Sequence, residues 1–492
     1  MIPVIDLFAG PGGLNEGFSS FRSKNGTSFH SVLSIEKEPV AHQTLLLRSF
    51  LRKFETAPEE YYARIRGKIS TEDLFRLYPD EAKLAKAEAK CIKLGRYNYP
   101  KVEKLISNAL KGKREKWVLI GGPPCQAYSL AGRSRMRSSN PDEFEQDHRH
   151  FLYREYLRIL ERFKPPVFVM ENVKGILSST VKDTHIFGKI RKDLANAGYT
   201  IHSFTRLHAN AEPEPKDFII RAEEFGIPQT RHRVILLGIR NDLERKRRVL
   251  RRKSAFISVK EAIGDLPKIR SAITKAEPTF NNWKKAVASL KQLQLRNVLR
   301  TALHKHVAKL KDLSCGAEFL NVRTTPTLRS AWLEQKKNWF LDGNIHGVTH
   351  HASKSHMGSD LKRYLFASSY TRLYCTSPKI SEFPRSLWPN HVNIKDAANG
   401  TMFADRFRVQ AASKPATTIV SHLSKDGHYF IHYDPVQCRS LTVREAARLQ
   451  TFPDNYFFEG NRTQQYEQVG NAVPPLLAGQ LAAIVHDVLE QI

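Results

Sequence analysis

The 492-residue chain is long enough for two or three domains with hydrophobic cores, and its 41% hydrophobic content is ordinary for a globular protein. Its formal net charge of +29 indicates a polyanionic partner, of which nucleic acid is the usual kind. The five cysteines are scattered without a CxxC pair, which argues against a disulfide framework or a zinc site. The first residues carry no secretion signal and no apolar run reaches membrane length, so we expect a reduced, cytoplasmic protein.

The first forty residues show the alternation that begins a doubly wound α/β fold. Val4–Phe8 is typical of a buried strand, and the glycine-rich turn 9–14 leads into a helix from Asn15 to Phe21. The next strand, Val32–Glu36, ends in a carboxylate about twenty residues after the glycines, a spacing typical of an acidic residue that holds ribose hydroxyls. A tight turn without a ligand fits the glycines equally well.

Residues 39–116 are charged and mostly helical in pattern. Helical periodicity extends from Glu81 to Leu94, and no catalytic cluster occurs in this stretch. We therefore expect a solvated helical insertion between the second and third strands.

The third strand, Trp117–Ile120, leads into Gly121-Gly122-Pro123-Pro124-Cys125-Gln126. The two prolines exclude a helix and stiffen the loop that presents Cys125. This loop follows the carboxyl end of a strand, which is where open α/β sheets build their sites. A lone cysteine is more often a packed core residue, so the rest of the chain must decide between the two roles.

A basic loop and a carboxylate follow. Residues 129–150 carry Arg133, Arg135, Arg137 and Arg149 among Gly, Ser and Asn, a composition that suits phosphate contact or simply a solvated loop. A helix over Phe151–Phe163 precedes the strand Val167–Met170. Glu171 follows that strand, at the edge of the sheet that also carries Cys125.

Two arginines precede another strand. A helix over Ile186–Ala197 and a strand over Thr200–Leu207 come first, and Val234–Gly238 is typical of the strand that follows the arginines. Arg231 and Arg233 are two apart on an extended segment, so their side chains share one face. A salt-bridge role fits them as well as a role in a site.

From about Ala272 to Arg408 the strand–helix alternation is lost, which favours a second domain built for contact. The histidines in this region lack supporting cysteine or carboxylate spacing, so surface or nucleic-acid contact is favoured over a metal site. These histidines are His346, His350, His351 and His356.

Regular patterning returns near the carboxyl end. We expect strands at Thr417–Val420 and His428–His432, a helix from Thr442 with a capping-box pattern, and a terminal apolar helix to Ile492.

Six blocks in a fixed order then give the chain a resemblance. They are Asp6-Leu7-Phe8-Ala9-Gly10-Pro11-Gly12-Gly13-Leu14, Gly122-Pro123-Pro124-Cys125-Gln126, Glu171-Asn172-Val173, Gln229-Thr230-Arg231-His232-Arg233, Leu441-Thr442-Val443-Arg444-Glu445-Ala446-Ala447-Arg448-Leu449-Gln450 and Gly470-Asn471-Ala472-Val473-Pro474. Each block alone is weak, but the ordered set resembles the bacterial-type DNA cytosine-5 methyltransferases over nearly the whole chain. The resemblance implies a doubly wound, Rossmann-like domain dependent on S-adenosylmethionine, and a smaller, irregular target-recognition domain.

The family's organisation implies that the catalytic domain is discontinuous. We expect residues 1–268 to form it, with the helical insertion at about 48–115, and residues 269–462 to form the target-recognition domain. Residues 463–492 would be a C-terminal helix that returns to the catalytic domain.

The resemblance also implies a role for particular residues. Cys125 would add to carbon 6 of a flipped-out cytosine, and Glu171 would hold and protonate ring N3. Arg231 and Arg233 would orient the base or the neighbouring backbone. The residues implied for S-adenosylmethionine are Phe8, Ala9, Gly10, Gly12, Gly13, Leu14, Glu36, Pro124, Asn471 and Val473, and those for DNA are Gln126, Ser129, Arg133 and Arg135. The family's acidic residue for the adenine has no clear counterpart, and Gly67-Lys68-Ile69 is the best candidate.

Two other functions stay open. One branch of this fold methylates RNA such as tRNA, and a DNA-binding regulator can use an enzyme scaffold that has lost its chemistry. The long basic region favours duplex DNA, and the intact Cys125 and Glu171 argue against a decayed enzyme. The expected partners are double-stranded DNA and a cognate restriction endonuclease, for a monomeric enzyme associated with the bacterial nucleoid through DNA.

Overall fold

A computed structural model describes residues 1–112, 115–123, 152–181, 184–207, 212–243, 246–288, 290, 295, 297–322, 330–400 and 404–492. Within these residues the chain forms two units. The sheet unit comprises Met1–Ala57, Thr71–Ala255 and Ala472–Ile492, and the helical unit comprises Pro58–Ser70 and Phe256–Asn471. These divisions differ from the expected ones, because the first unit ends before residue 268 and residues 463–471 belong to the helical unit.

The strands are short apart from those at the centre of the main sheet. They are β1 (Ile2–Leu7), β2 (Phe29–Glu36), β3 (Ala89–Cys91), β4 (Val118–Gly121), β5 (Val167–Val173), β6 (Thr180–Val181), β7 (Thr184–His185), β8 (Tyr199–His202), β9 (Ile219–Arg221), β10 (Gln229–Thr230), β11 (His232–Arg240), β12 (Ala272–Ile273), β13 (Phe319–Asn321), β14 (Gly347–Thr349), β15 (Ser355–His356) and β16 (Ala416–Thr417).

The helices of the described chain occur in both units. They are α1 (Gly13–Ser20), α2 (Pro39–Leu51), α3 (Glu59–Ile65), α4 (Thr71–Leu77), α5 (Pro79–Glu88), α6 (Tyr99–Ala109), α7 (Leu152–Phe163), α8 (Ile186–Asn196), α9 (Val259–Ile263), α10 (Phe280–Ala288), α11 (Asn297–Ala308), α12 (Ala331–Gln335), α13 (Lys337–Phe340), α14 (Gly358–Tyr374), α15 (Ile394–Ala398), α16 (Val443–Leu449), α17 (Arg462–Asn471) and α18 (Pro475–Leu489).

The sheet unit is built on a mixed sheet with strand order β3-β2-β1-β4-β5-β11-β8, and β9 pairs with β11. The first five strands of this order run parallel, and β11 is antiparallel to β5 and β8. Both faces of the sheet are covered, because Val4 belongs to one hydrophobic cluster with α1 and α18 and Ile5 belongs to another with α6, α7 and α8. The predicted doubly wound, Rossmann-like class is confirmed.

The carboxyl-terminal helix packs against the first helix of the same unit. A Cβ placed on Gly13 would lie 2.3 Å from the carbonyl oxygen of Val473, and one on Gly17 would lie 2.4 Å from the Cβ of Ala478. Glycine at both positions therefore lets α18 approach the backbone of α1 closely. The chain's two ends meet in one core, as the expected discontinuity of the domain requires.

The expected helical insertion contains a strand of the main sheet. The helix predicted to extend to Leu94 ends at Glu88, because Ala89–Cys91 pairs with the last three residues of β2. The strand predicted over Thr200–Leu207 ends at His202. Gly67-Lys68-Ile69 lies between α3 and α4 and belongs to the helical unit, and its assignment to the adenine stays a prediction.

The helical unit has its own hydrophobic core around α10, α11 and α14. Trp283, Leu303 and Leu365 are nearly or fully buried there. Two predicted strands are wrong or shorter than expected, because His428–Phe430 forms a 3₁₀ turn and only Ala416–Thr417 is a strand. The capping box of Thr442 with Glu445 is confirmed at the start of α16.

The predicted exposure of the histidines is wrong for three of the four. His350, His351 and His356 are almost completely buried. His351 contacts the Thr442 hydroxyl and the Pro267 carbonyl oxygen, and His356 contacts the Ser440 hydroxyl. Burial lowers the pKa of His351 to about 4 and that of His356 to about 3, so both rings are neutral core groups.

One stretch of the described residues, Arg462–Leu489, is long and apolar enough to cross a membrane, which the expectation from sequence overlooked. It comprises α17 and α18, and 72% of its most apolar window is buried inside the protein. Core helices have the same composition, so the stretch is weak evidence for a membrane span.

Candidate active site

The register of the parallel strands brings four loops to one edge of the sheet. Leu7 at the end of β1 is opposite both Ile35 in β2 and Gly121 in β4, and Gly121 is opposite Met170 in β5. The residues that follow these four positions therefore emerge side by side. This edge carries the glycine turn, Glu36, Gly122 and Glu171. Arg233 joins them, because the start of the antiparallel strand β11 lies opposite Val173 at the end of β5.

The glycine turn after β1 has a backbone that few side chains tolerate. Phe8, Gly10 and Gly12 have positive φ angles of 57°, 56° and 96°. A Cβ on Gly10 would meet no atom within 4 Å, so open space lies beside this part of the turn. The turn is thus shaped to leave room for a ligand against bare backbone.

Glu36 fixes this turn from the end of β2. Its Oε2 accepts a hydrogen bond from the Gly10 amide at 2.7 Å, and its Oε1 accepts bonds from the amides of Lys37 and Glu38, each at 2.8 Å. Backbone amides therefore hold the Glu36 carboxylate, which is predicted to bind a ribose, in one orientation before any ligand is present.

Asp6 is a residue of this site that the interpretation of the sequence missed. It is 1% exposed, and neither carboxyl oxygen has a hydrogen-bond partner among the described residues. Burial and the neighbouring Glu36 carboxylate raise the pKa of Asp6 well above its usual value. Asp6 lies two residues before Phe8, where the turn begins. A buried acid whose oxygens have no partner among the described residues fits a ligand that donates hydrogen bonds or carries positive charge. A carboxylate near the end of a buried apolar strand was the signal in the sequence that could have identified it.

Glu171 and Arg233 form an ion pair across β5 and β11. The Arg233 Nε lies 3.0 Å from Glu171 Oε1, and the two side chains are only 19% and 14% exposed. A Cβ on Gly122 would lie 3.1 Å from Glu171 Oε2, so glycine there makes room for the carboxylate. Asn172 Nδ2 donates to the Pro123 carbonyl oxygen at 3.3 Å, which ties the loop after β4 to β5.

Arg231 adds positive charge next to this pair. It is 2% exposed, and its pKa is lowered well below the usual value by burial and by the like charge of Arg233, while Glu171 opposes the shift. Two guanidinium groups thus share the neighbourhood of a single carboxylate. Such an excess favours an anionic group close by.

Several predicted site residues lie outside the described residues. They are Pro124, Cys125, Gln126, Ser129, Arg133 and Arg135. The described chain stops at Pro123, two residues before Cys125 in the sequence, and that proline is the one held by Asn172.

The two residues predicted near the carboxyl end behave differently. Val473 is buried in the core of the sheet unit and touches the position of Gly13. Asn471 is exposed, ends α17 and belongs to the helical unit. Ala9 belongs to the glycine turn, and Leu14 lies in the first turn of α1.

Comparisons with known proteins agree with this geometry. The model of the family "C-5 cytosine-specific DNA methylase" matches residues 98–486. The type II methyltransferase M.Bpa9945I of Bacillus paralicheniformis is 34% identical, over 99% of this chain and 99% of its own. M.DdeI of Desulfomicrobium norvegicum, another type II methyltransferase, is 26% identical over 97% of this chain and 87% of its own.

A solved structure supports the fold. The crystal structure of a prophage-encoded E. coli protein superimposes with a TM-score of 0.50 and 18% identity over the full length of both chains. The predicted family and enzyme class are confirmed, and this chain belongs to the C-5 cytosine-specific DNA methylases as a DNA (cytosine-5-)-methyltransferase.

Proposed function

We propose that this enzyme methylates carbon 5 of a flipped-out cytosine within one specific DNA sequence, through a covalent adduct with Cys125, using S-adenosylmethionine. The observation that carries the proposal is the Glu171–Arg233 pair at the carboxyl edge of the sheet, next to Gly122 and the loop that leads to Cys125. The relatives are named type II methyltransferases, which favours a place in a type II restriction–modification system. An orphan enzyme of a phage or mobile element is the alternative.

The chemistry requires a nucleophile and an acid on the same base. Carbon 5 of cytosine is weakly nucleophilic, so the Cys125 thiolate first forms a bond to carbon 6, and the electrons of the 5,6 double bond move towards N3. Glu171 holds N3 and supplies the proton that neutralises the charge developing there. After methylation, a base removes the carbon 5 proton, its electrons restore the 5,6 double bond, and the bond to Cys125 breaks to release the thiolate. N3 returns its proton to Glu171, which restores the acid.

The two arginines have separate tasks in this proposal. Arg233 holds Glu171 in place through the 3.0 Å ion pair, and Arg231 adds a second positive charge in a buried position. Positive charge beside the site favours the thiolate form of Cys125 over the thiol. It also stabilises negative charge on the base during addition.

The glycine turn and its neighbours fit S-adenosylmethionine. This cofactor supplies an electrophilic methyl group on a sulfonium ion. Phe8 and the open space beside Gly10 would hold it, Glu36 would accept from its ribose, and the unpartnered Asp6 suits one of its donor groups. The close packing of Val473 on Gly13 keeps the carboxyl-terminal segment beside this turn.

Recognition of DNA is assigned to separate elements. The target cytosine is stacked inside duplex DNA, so it must be flipped out before Cys125 can reach carbon 6. Residues of the helical unit are proposed to contact base edges, and Gln126, Ser129, Arg133 and Arg135 to contact DNA near the target. The enzyme is proposed to act as a monomer in the cytoplasm, with a cognate restriction endonuclease as a functional partner.

The test is to incubate the purified enzyme with mixed genomic DNA and S-adenosylmethionine, and to map 5-methylcytosine at base resolution. We expect one short motif to be methylated by the wild-type enzyme and none by Cys125→Ala. Parallel incubation with tRNA separates the RNA alternative. Methylation by Cys125→Ala, or transfer to tRNA alone, contradicts the proposal.

A further inference from the structure

The insertion between β2 and β4 carries a strongly basic surface that the proposed chemistry does not use. Between residues 83 and 116 the sequence has eleven lysines and arginines but only three acidic residues. We call the described exposed or half-buried cations from α5 through β3 and the following loop to the start of α6 the α5 lysine surface. Its members are Lys83, Lys86, Lys90, Lys93, Arg96 and Lys101.

Three of these lysines line one concavity of about 460 Å³. Lys83, Lys86 and Lys90 share it with Phe75 and small residues, and no carboxylate lines it. The Lys86 ammonium lies 5.5 Å from the centre of the Phe75 ring. Burial and the nearby positive charge of Lys101 lower the pKa of Lys90, so these two cations are close enough to repel each other.

Two of the three acidic residues of the segment already pair with cations outside this surface. Glu88 is buried and pairs with Arg52 and Lys53, and Glu103 pairs with Arg162. In the part of the chain that the structure describes, no member of the α5 lysine surface forms an ion pair with a carboxylate. Several cations that lack a carboxylate partner and share one open surface favour an external polyanion.

The loop after β3 adds an aromatic side chain to this surface. Tyr97 is 99% exposed, and its neighbour Arg96 is also exposed. A fully exposed tyrosine beside arginine has no packing role in the protein. Exposed aromatic rings among cations are typical of surfaces that contact nucleic acid, where they lie against sugars or bases.

The position of the surface in the sheet unit sets its distance from the reacting base. In the strand order, β3 is four inter-strand spacings from β5, which carries Glu171. Neighbouring strands are about 4.8 Å apart, so the separation is about 19 Å. Duplex DNA rises about 3.4 Å per base pair, so a separation of this size equals the length of about six base pairs.

We propose that the α5 lysine surface is a second DNA-contact site, which binds the phosphate backbone of duplex DNA outside the recognition sequence. The inference rests on the proposed duplex substrate. Its effect is to raise the affinity for long DNA and to hold the enzyme on DNA between target sites, without reading sequence. The partner is identified by charge complementarity along an extended basic surface, which a single small anion would not require.

The test compares two duplexes with the wild-type enzyme and a triple variant. One duplex ends close to the recognition sequence, and the other extends about two helical turns beyond it on each side. The variant is Lys83→Gln, Lys86→Gln and Lys101→Gln, all at exposed positions. Loss of three phosphate contacts is expected to reduce the slope of log Kd against log salt by about 2.7 on the long duplex only. When salt is raised from 50 to 200 mM, the wild-type enzyme should therefore lose about 40-fold more affinity for the long duplex than the triple variant loses.

The matched control carries Lys24→Gln, Lys189→Gln and Lys192→Gln, three exposed lysines elsewhere on the sheet unit. It has the same net charge change and is expected to keep the wild-type slope. Tyr97→Ala is expected to weaken binding of the long duplex while leaving kcat on the short duplex unchanged. An unchanged slope in the triple variant, an equal loss in the control, or binding to anionic vesicles in place of DNA overturns the inference. Because binding is measured without methylation, a failure of the proposed chemistry would not be mistaken for a failure of this one.

Discussion

Gly13→Ala tests whether the two ends of the chain must pack as closely as the structure shows. The added Cβ would lie 2.3 Å from the Val473 carbonyl oxygen and 3.2 Å from the Ala472 Cβ. The first of these atoms belongs to the backbone, so it cannot move aside as a flexible side chain would. Overpacking of this kind costs about 1–3 kcal/mol.

The expected result is a lower melting temperature and weaker cofactor binding. For a unit of this size each kcal/mol lowers Tm by about 2–4 °C, so we expect a fall of about 2–12 °C in differential scanning calorimetry. Calorimetric titration with S-adenosylmethionine should show reduced affinity, because Gly13 belongs to the turn proposed to hold it. The fall in Tm is the primary readout, since it does not depend on the proposed function.

Gly188→Ala is the matched control. Gly188 lies in α8, its φ is not positive, and a Cβ there would meet no atom within 4 Å. The substitution should stabilise the protein by about 0.4–1 kcal/mol, since alanine restricts the unfolded chain. A Tm for Gly13→Ala that equals the wild-type value, or an equal fall in Gly188→Ala, would refute the packing argument.

Three further predictions concern catalysis, a buried ion network and pH. Glu171→Gln should lower kcat by about 10²–10⁴-fold while Kd for DNA stays within a few-fold, and equal losses in both would reject its role as acid. Arg448→Met should lower the free energy of unfolding in urea by about 3–5 kcal/mol. Arg448 is 1% exposed and pairs with Asp265 and Asp454, whose largely buried charges would lose their partner. An unchanged urea midpoint of unfolding would contradict this. The pKa of His351 is about 4 in the folded protein and about 6.5 in the unfolded chain, so the unfolded chain binds the proton first. The contribution of His351 to the free energy of unfolding is therefore complete above about pH 6.5 and is lost as the pH falls towards 4. The urea midpoint should therefore drop between pH 7 and pH 5, and His351→Gln should flatten that drop, whereas an identical slope would refute the assignment.

Local patterns in the sequence were enough to predict the strands whose ends form the candidate site. Strong apolar runs bounded by glycine or a carboxylate correctly indicated β1, β2, β4, β5 and β11. These strands are buried on both faces, so their composition is decided by the core and is visible without partners. The capping box at Thr442 is equally local, since all its hydrogen bonds lie within four residues.

Elements that depend on distant partners were predicted poorly. Ala89–Cys91 continues a helical pattern in sequence, yet it pairs with β2 because the edge of that sheet is open to it. His351 and His356 looked like surface residues, and only packing supplies the hydroxyl and carbonyl partners that make neutral, buried rings stable. Asp6 was hidden for the same reason, since burial without a partner cannot be read from residue type.

The sequence by itself determined the family and the order of the matching blocks, and it predicts Cys125 and Glu171 as the reacting groups, because covalent chemistry demands particular side chains at particular places in the motif. Only the tertiary structure decided the pairing of Glu171 with Arg233, the burial of Asp6 without a hydrogen-bond partner among the described residues, and the closeness of Gly13 to Val473. The two contacts join residues far apart in the chain, and the burial of Asp6 depends on the packing around it. Their energies depend on distance, burial and backbone approach, which exist only once the strands are in register and the last helix has returned to the first.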